Sequence, residues 1–171
     1  KGDIILYPIL KENKAVRFLS FNSKKFKHDF KSKNLPSKIY IDDKFLRLMG
    51  YYLSEGYVRT DSSKGTIGFA FSGTEKEYIR DVIYIMKEVF LLSPATVKIE
   101  HNCARVNFYS AKLARFFKEL CGKGAANKHF PSWAVTLPPK QQAHLLNGLW
   151  RGDGYVNGKR AMFVTISEHL A

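Results

Sequence analysis

The sequence predicts an α+β protein: a helix–strand–strand–helix–strand–strand–helix (αββαββα) unit around an antiparallel sheet, duplicated about a pseudo-twofold axis, with the second copy truncated. Three observations predict it. A segment of eleven residues recurs at an offset of 98. Between the copies the apolar pattern alternates as in strands, recurs at helical intervals, then alternates again. Beyond the second copy the sequence carries only the first elements of another unit.

Residues 1–35 read as a basic N-terminal segment or linker. From residue 11 to residue 38 there are nine basic residues (Lys11, Lys14, Arg17, Lys24, Lys25, Lys27, Lys31, Lys33, Lys38) against Glu12 and Asp29. The stretch therefore holds seven of the chain's +13 net charges. Phe18, Phe21, Phe26 and Phe30 are interleaved with these charges, so the segment can pack or stack as well as attract. A field of this sign concentrates polyanions, and nucleic acid is the obvious one. KGDIILYPILKENK has neither the apolar run nor the cleavage site of a signal peptide, and no run approaches the roughly 20 residues of a membrane span. An intracellular setting without membrane contact is expected. Cys103 and Cys121 have no CxxC spacing and no histidine cluster, which argues against a disulfide scaffold and a zinc module.

Residues 36–125 form the first predicted unit. Its opening helix, DDKFLRLMGYYLSE, contains the first copy of the repeat, LMGYYLSEGYV (Leu48 to Val58). In Gly65 to Ser72, Ile67, Phe69 and Phe71 share one face, and Thr66, Gly68, Ala70 and Ser72 the other. Thr74 and Glu77 have capping-box spacing, and Tyr78, Val82, Ile85, Met86 and Val89 then recur at helical intervals. Val97 and Ile99 oppose Lys98 and Glu100, while Ala104, Val106 and Phe108 oppose Arg105, Asn107 and Tyr109. A further helix is predicted from Ser110 to about Leu120. Residues 126–171 form a linker and the start of the second unit: the helix PKQQAHLLNGLWRGD, which contains the copy LNGLWRGDGYV (Leu146 to Val156), a strand around Ala161 to Thr165, and a helix start at Ser167.

The paired segments match at Leu, Gly, Gly, Tyr and Val, with Glu55 opposite Asp153. In both copies a glycine follows the acid, where a left-handed turn is expected to stop the helix. Gly50 and Ser54 lie four residues apart, as do Gly148 and Gly152, so each pair of small residues occupies one helix face. Two such faces allow close packing, at the short end of the usual range of about 8–10 Å between axes. If the helices run side by side in the same direction, Glu55 and Asp153 converge. Two carboxylates beside two negative helix ends repel unless a cation lies between them. A hard divalent ion, Mg²⁺ or Mn²⁺, is the economical choice. An acid-Gly helix end is common taken singly; an acid that opposes the macrodipole at the matched position of both copies points to function.

One face of the predicted sheet packs under helices and the other is free. The free face carries Tyr57, Arg59, Thr66, Ser72, Lys98, Glu100, Arg105 and Asn107. A β-ribbon of this kind fits the DNA major groove, where Arg can read guanine, Asn can read adenine and Lys can hold phosphates.

LMGYYLSEG (Leu48 to Gly56) and LNGLWRGDG (Leu146 to Gly154) resemble the two copies of the motif that defines the LAGLIDADG homing endonucleases, and the resemblance covers roughly residues 36–171. It implies metal binding by the acid at the eighth motif position, here Glu55 and Asp153. It also implies a basic residue in the pocket ahead of the second motif, and Lys128 in NKHFPSW is the match. The sixth position, often acidic in that family, is here Leu53 and Arg151. Gly2 to Pro8 (GDIILYP) is similar to a stretch of intein splicing domains, which suggests a nuclease embedded in an intein; without a Cys or Ser start or a terminal His-Asn, this chain should not splice by itself.

The implied activity is a metal-dependent double-strand break at a long, specific DNA site. Glu55 and Asp153 would hold the ions, and Lys128 would stabilise charge on the phosphate or orient the attacking water. The incomplete second unit leaves three possibilities: a fragment of a longer protein, which is favoured, a fold completed by a partner chain, or a degenerate domain. The alternative function is a DNA- or RNA-binding regulator or maturase that kept the scaffold and lost the chemistry. A basic interaction domain of unrelated ancestry would leave the repeat to coincidence.

Overall fold

A computed structural model describes residues 16–21, 35–61 and 64–171. The intein-like stretch and most of the basic residues between 11 and 34 lie outside the described residues. Phe18–Ser20 (β1) and Lys38–Tyr40 (β2) pair antiparallel, and Phe21 next to them is buried against Phe116, with ring centroids 5.2 Å apart. Asp43–Glu55 (α1), Gly56–Thr60 (β3), Gly65–Ser72 (β4), Lys76–Phe90 (α2), Thr96–Glu100 (β5), Cys103–Tyr109 (β6) and Ala111–Cys121 (α3) follow. This is the αββαββα order of an α+β fold, with an antiparallel sheet ordered β3-β4-β6-β5. Two short 3₁₀ turns, Ala125–Asn127 and Ser132–Thr136, lead to Pro139–Asp153 (α4) and the hairpin Gly154–Asn157 (β7) and Arg160–Phe163 (β8).

The core lies between one sheet face and the helices. Ile67, Phe69 and Phe71 of β4 and Ala104, Val106 and Phe108 of β6 point into it, as their alternation requires. Leu48, Met49, Tyr51 and Tyr52 of α1 are fully buried because the sheet, α2, α3 and α4 all pack against that helix. Burial of each large side chain contributes roughly 1.5–3 kcal/mol. Together they outweigh the cost of Gly50 inside a helix, about 1 kcal/mol. Asp42 caps the start of α1, its carboxylate accepting from the Phe45 amide at 2.8 Å.

The structure corrects three local expectations. Gly56 and Gly154 are not left-handed: both are extended, at φ −80° and −85°, and each helix turns straight into a strand. Glycine is needed there for close approach, since a Cβ on Gly56 would lie 2.5 Å from the Tyr52 Cα, and one on Gly154 2.7 Å from Trp150 Cγ. The Thr74–Glu77 capping box does not form. Thr74 is engaged with the Ser72 hydroxyl at 2.8 Å, and Glu75 accepts from the Ser72 amide at 2.8 Å, so the reach-back arm belongs to a different pair. Val97 and Ile99 are 47% and 62% exposed, because β5 is the outer strand and α2 packs against β6. The expected helix start at Ser167 is seen as one helical turn, the Leu170 and Ala171 amides donating to the Ser167 carbonyl at 3.1 and 3.2 Å.

The two copies of the repeat differ sharply in their surroundings. Leu48 and Val58 are 0% and 3% exposed, whereas Leu146 and Val156 at the equivalent positions are 53% and 64% exposed. Among the described residues, no helix covers the β7–β8 hairpin as α1 and α3 cover β3 and β4.

Candidate functional site at the paired helix ends

α1 and α4 cross where their small residues lie. A Cβ on Gly50 would stand 2.5 Å from the Leu149 amide nitrogen and 2.7 Å from the Gly148 Cα, and one on Gly148 would stand 3.0 Å from the Gly50 Cα. One turn further on, Gly152 abuts Ser54, and a Cβ there would lie 3.0 Å from the Glu55 Cγ. Contacts 50 to 148 and 54 to 152 keep the offset of 98, so the helices run parallel and in register. Their C-terminal ends, with Glu55 and Asp153, therefore come together.

The electrostatics of that point are those of two crowded anions. Burial first, then Asp153 and Glu75, push the Glu55 carboxyl up to about 7, opposed by Lys128. The Asp153 carboxyl is also raised, by desolvation, with Lys128 opposing. Lys128 is 5% exposed. Its ammonium donates to the Ser54 carbonyl at 3.0 Å and lies 5.6 Å from the centre of the Tyr52 ring. Burial pulls it down to about 8, against the attraction of Asp153 and Glu55. A cleft of about 270 Å³ is lined by Leu53, Ser54, Ala125, Lys128, Asp153, Val164, Thr165 and Ile166. Glu55 does not line that cleft.

Two features of this site have no local signature in the sequence. Ser167, 1% exposed, donates its hydroxyl to the Lys128 carbonyl and so ties the C-terminal segment to the lysine 39 residues earlier. Glu75 contributes a further negative field at Glu55. Only folding brings either residue close.

The raised carboxyl has a consequence for stability. An ordinary Glu releases its proton near 4.5, so between about 4.5 and 7 the folded chain holds a proton that the unfolded chain has lost, and stability falls as pH rises through that window. Lys128 acts in the opposite sense, adding stability as pH rises from about 8 toward 10.5. Glu55→Gln should therefore melt like the parent near pH ~4 and several degrees higher near pH ~8, both in EDTA, by differential scanning calorimetry. Equal melting temperatures at both pH values would mean that the Glu55 carboxyl is not crowded.

The register of the sheet places the candidate binding residues in cross-strand rows on its free face: Arg59–Thr66–Tyr109, Tyr57–Gly68–Asn107–Thr96, Ala70–Arg105–Lys98 and Ser72–Cys103–Glu100. Tyr109, 64% exposed, and Thr96 join this face, both readable from the alternation along β6 and β5. Asn107 is not free to pair with adenine through both ends of its amide. Its Oδ1 accepts from the Tyr57 hydroxyl at 2.6 Å and its Nδ2 donates to Thr96 Oγ1 at 3.1 Å, the chain passing over Gly68, where a Cβ would lie 2.6 Å from Asn107 Oδ1. Lys98 and Arg105 face each other directly across β5 and β6, a costly arrangement for like charges, with Glu100 3.6 Å from Arg105.

Comparisons with known proteins agree with this architecture. Residues 42–122 match the family model described as a LAGLIDADG-like domain. The chain is 37% identical over 162 residues to an uncharacterized protein of Methanocaldococcus jannaschii, MJ0043, a match covering 89% of this chain and 20% of that protein. A second uncharacterized protein of the same organism, MJ1054, is 34% identical over 154 residues, covering 82% of this chain and 17% of its own. A DNA polymerase of Thermococcus litoralis is 34% identical over 132 residues, covering 77% and 8%. The chain thus spans a fifth or less of each of these relatives. No helix among the described residues is long and apolar enough to cross a membrane.

Proposed function

Residues 42–122 make this chain a member of the LAGLIDADG-like family, and on that premise we propose that it is a site-specific DNA endonuclease that makes metal-dependent double-strand breaks. The observation that carries the reading is the convergence of Glu55 and Asp153 at the ends of two parallel helices, beside the buried Lys128. Cooperative packing alone does not explain two acids at negative helix ends, because each opposes its own macrodipole.

The donor set fits a hard divalent ion such as Mg²⁺ or Mn²⁺. Both carboxylates are held in a crowded, partly desolvated state that a cation would relieve. No cluster of three or more His, Cys, Asp or Glu completes a cage among the described residues, and an open set of one or two carboxylates is how Mg²⁺ is held when substrate phosphates and water supply the remaining oxygens. A bound ion supplies polarisation of the phosphoryl oxygen and a more acidic water. Glu55 and Asp153 would hold it. Lys128, mostly charged at neutral pH, donates toward developing negative charge on the phosphate from a site where burial strengthens the interaction.

The free sheet face is the reading surface. Exposed Arg59, Lys98 and Arg105 supply cations, and the opposed Lys98–Arg105 pair is relieved by a polyanion. The Tyr57–Asn107–Thr96 chain stiffens the middle of the face, so Asn107 contributes to shape rather than to base pairing. Because related segments make up 8% of a DNA polymerase and 20% of MJ0043, the domain reads as an element carried inside host proteins, as an intein endonuclease is. Its work is then done in an intracellular compartment that contains DNA.

Cleavage of a plasmid library with random or source-genome inserts tests the proposal, run with Mg²⁺ and with EDTA. Discrete breaks that need the metal and disappear in Asp153→Asn are expected. Salt-sensitive DNA binding with no breaks would make the chain a retired nuclease acting as a binder, and neither binding nor breaks would overturn the DNA reading altogether.

A further inference from the structure

A polar hub joins both repeat helices to α2. Asp81 accepts from Arg47 Nε at 2.7 Å and Nη2 at 2.9 Å, and from the Tyr51 hydroxyl at 3.0 Å, all three donors lying on α1. From α4, Arg151 Nη1 reaches the same carboxylate at 3.3 Å and the Tyr51 hydroxyl at 2.9 Å. Its guanidinium also lies 5.3 Å from the centre of the Tyr78 ring and 3.8 Å from Glu77. Asp81 is thus shared by an arginine from each motif helix, and its side chain is only 17% exposed.

The hub acts on one flank only. Arg151 lies two residues before Asp153, in the turn where Gly152 abuts Ser54 and Glu55. At the equivalent position of α1 stands Leu53, 2% exposed and without any polar partner to offer. We propose that Asp81 and Arg151 are positioning residues: they clamp the last turn of α4 onto α1 and α2 and so set where Asp153 sits relative to Glu55. The inference rests on the cleavage reading of that site for its purpose, though not for its geometry. An arginine at the sixth motif position is then no defect; its charge is what the shared carboxylate grips.

A charge-assisted, half-buried hydrogen bond of this kind is worth enough to read locally. The reporter is the Gly154 amide, which donates to the Trp150 carbonyl at the end of α4, and the control is the Gly56 amide, which donates to Tyr52 at the matching end of α1. Amide hydrogen exchange by NMR is compared in the parent, Arg151→Leu, Arg151→Lys and Asp81→Asn. Arg151→Leu leaves the Arg47–Asp81 pair in place, so it keeps a folded variant available even where Asp81→Asn, which leaves two arginines facing each other, does not fold. In Arg151→Leu the Gly154 amide should exchange about tenfold faster with Gly56 unchanged, and Arg151→Lys should recover part of the protection. Mn²⁺ affinity, read from the free-ion EPR signal, should fall about tenfold in parallel.

Unchanged exchange at Gly154, or equal acceleration at Gly154 and Gly56, overturns the clamp. Local loosening with unaltered Mn²⁺ affinity overturns its link to the carboxylates. A parent chain with no Mn²⁺ binding that Asp153→Asn removes counts against the cleavage reading instead, and the exchange ratio still decides whether Asp81 and Arg151 hold the turn.

Discussion

Replacing Asp153 by Asn, or Glu55 by Gln, is expected to cut the rate of metal-dependent cleavage by about 10³-fold or more while DNA affinity stays within about threefold of the parent. The two effects separate because they arise on different surfaces. On the proposed reading affinity would come from the 28 Lys and Arg residues and the sheet face, whereas the acids at the helix ends would repel phosphate until a cation intervenes. Each substitution keeps the side chain's size, so the packing of Gly152 against Ser54 and Glu55 is preserved. The measurement pairs single-turnover cleavage of a site recovered from the plasmid library with fluorescence-anisotropy binding at fixed salt. Binding that falls along with cleavage would make Glu55 and Asp153 structural. Cleavage that survives both changes would place the chemistry elsewhere.

How much of this was legible in the sequence depends on the range of the interactions. The pairing of α1 with α4 follows from spacing within each helix: glycines and serine at four-residue intervals show which faces can approach, and the repeat shows that they match. The sheet was legible because alternation in β4 and β6 is local. Val97 and Ile99 mislead, since alternation shows which residues share a face and cannot show that β5 stands at the edge, beyond α2. A glycine after each acid suggests a left-handed helix end because helices commonly stop that way. Here the constraint is the aromatic ring four residues back, Tyr52 or Trp150, over which the chain must turn at once into a strand. Asp81 and Ser167 were invisible for a different reason. Their partners are 30 to 70 residues away, or 39 in the case of Ser167, and nothing in the local pattern of α2 or of the C-terminal segment distinguishes them from solvated polar residues.

The helix crossing itself makes the strongest stability prediction. Gly148→Ala and Gly50→Ala should each destabilise the chain by about 3 kcal/mol or more, beyond the usual overpacking cost of 1–3 kcal/mol. Alanine would gain about 1 kcal/mol in helix propensity, so the sign rests on what the new methyl meets. At Gly148 it collides with the Arg47 carbonyl oxygen and stands 3.0 Å from the Gly50 Cα; at Gly50 it meets the Leu145 carbonyl oxygen and lies 2.5 Å from the Leu149 nitrogen. These are backbone atoms of the facing helix, and no rotamer change can move them aside. Gly152 differs, because its methyl would meet the Ser54 side chain. Urea denaturation should therefore show Gly152→Ala substantially rescued by Ser54→Gly, while no side-chain truncation rescues Gly148→Ala. If Gly148→Ala proves neutral, the helices do not approach as closely as the register at offset 98 requires. Glu55 and Asp153 would then be too far apart to share one site, since the same crossing that excludes a methyl is what brings the acids together.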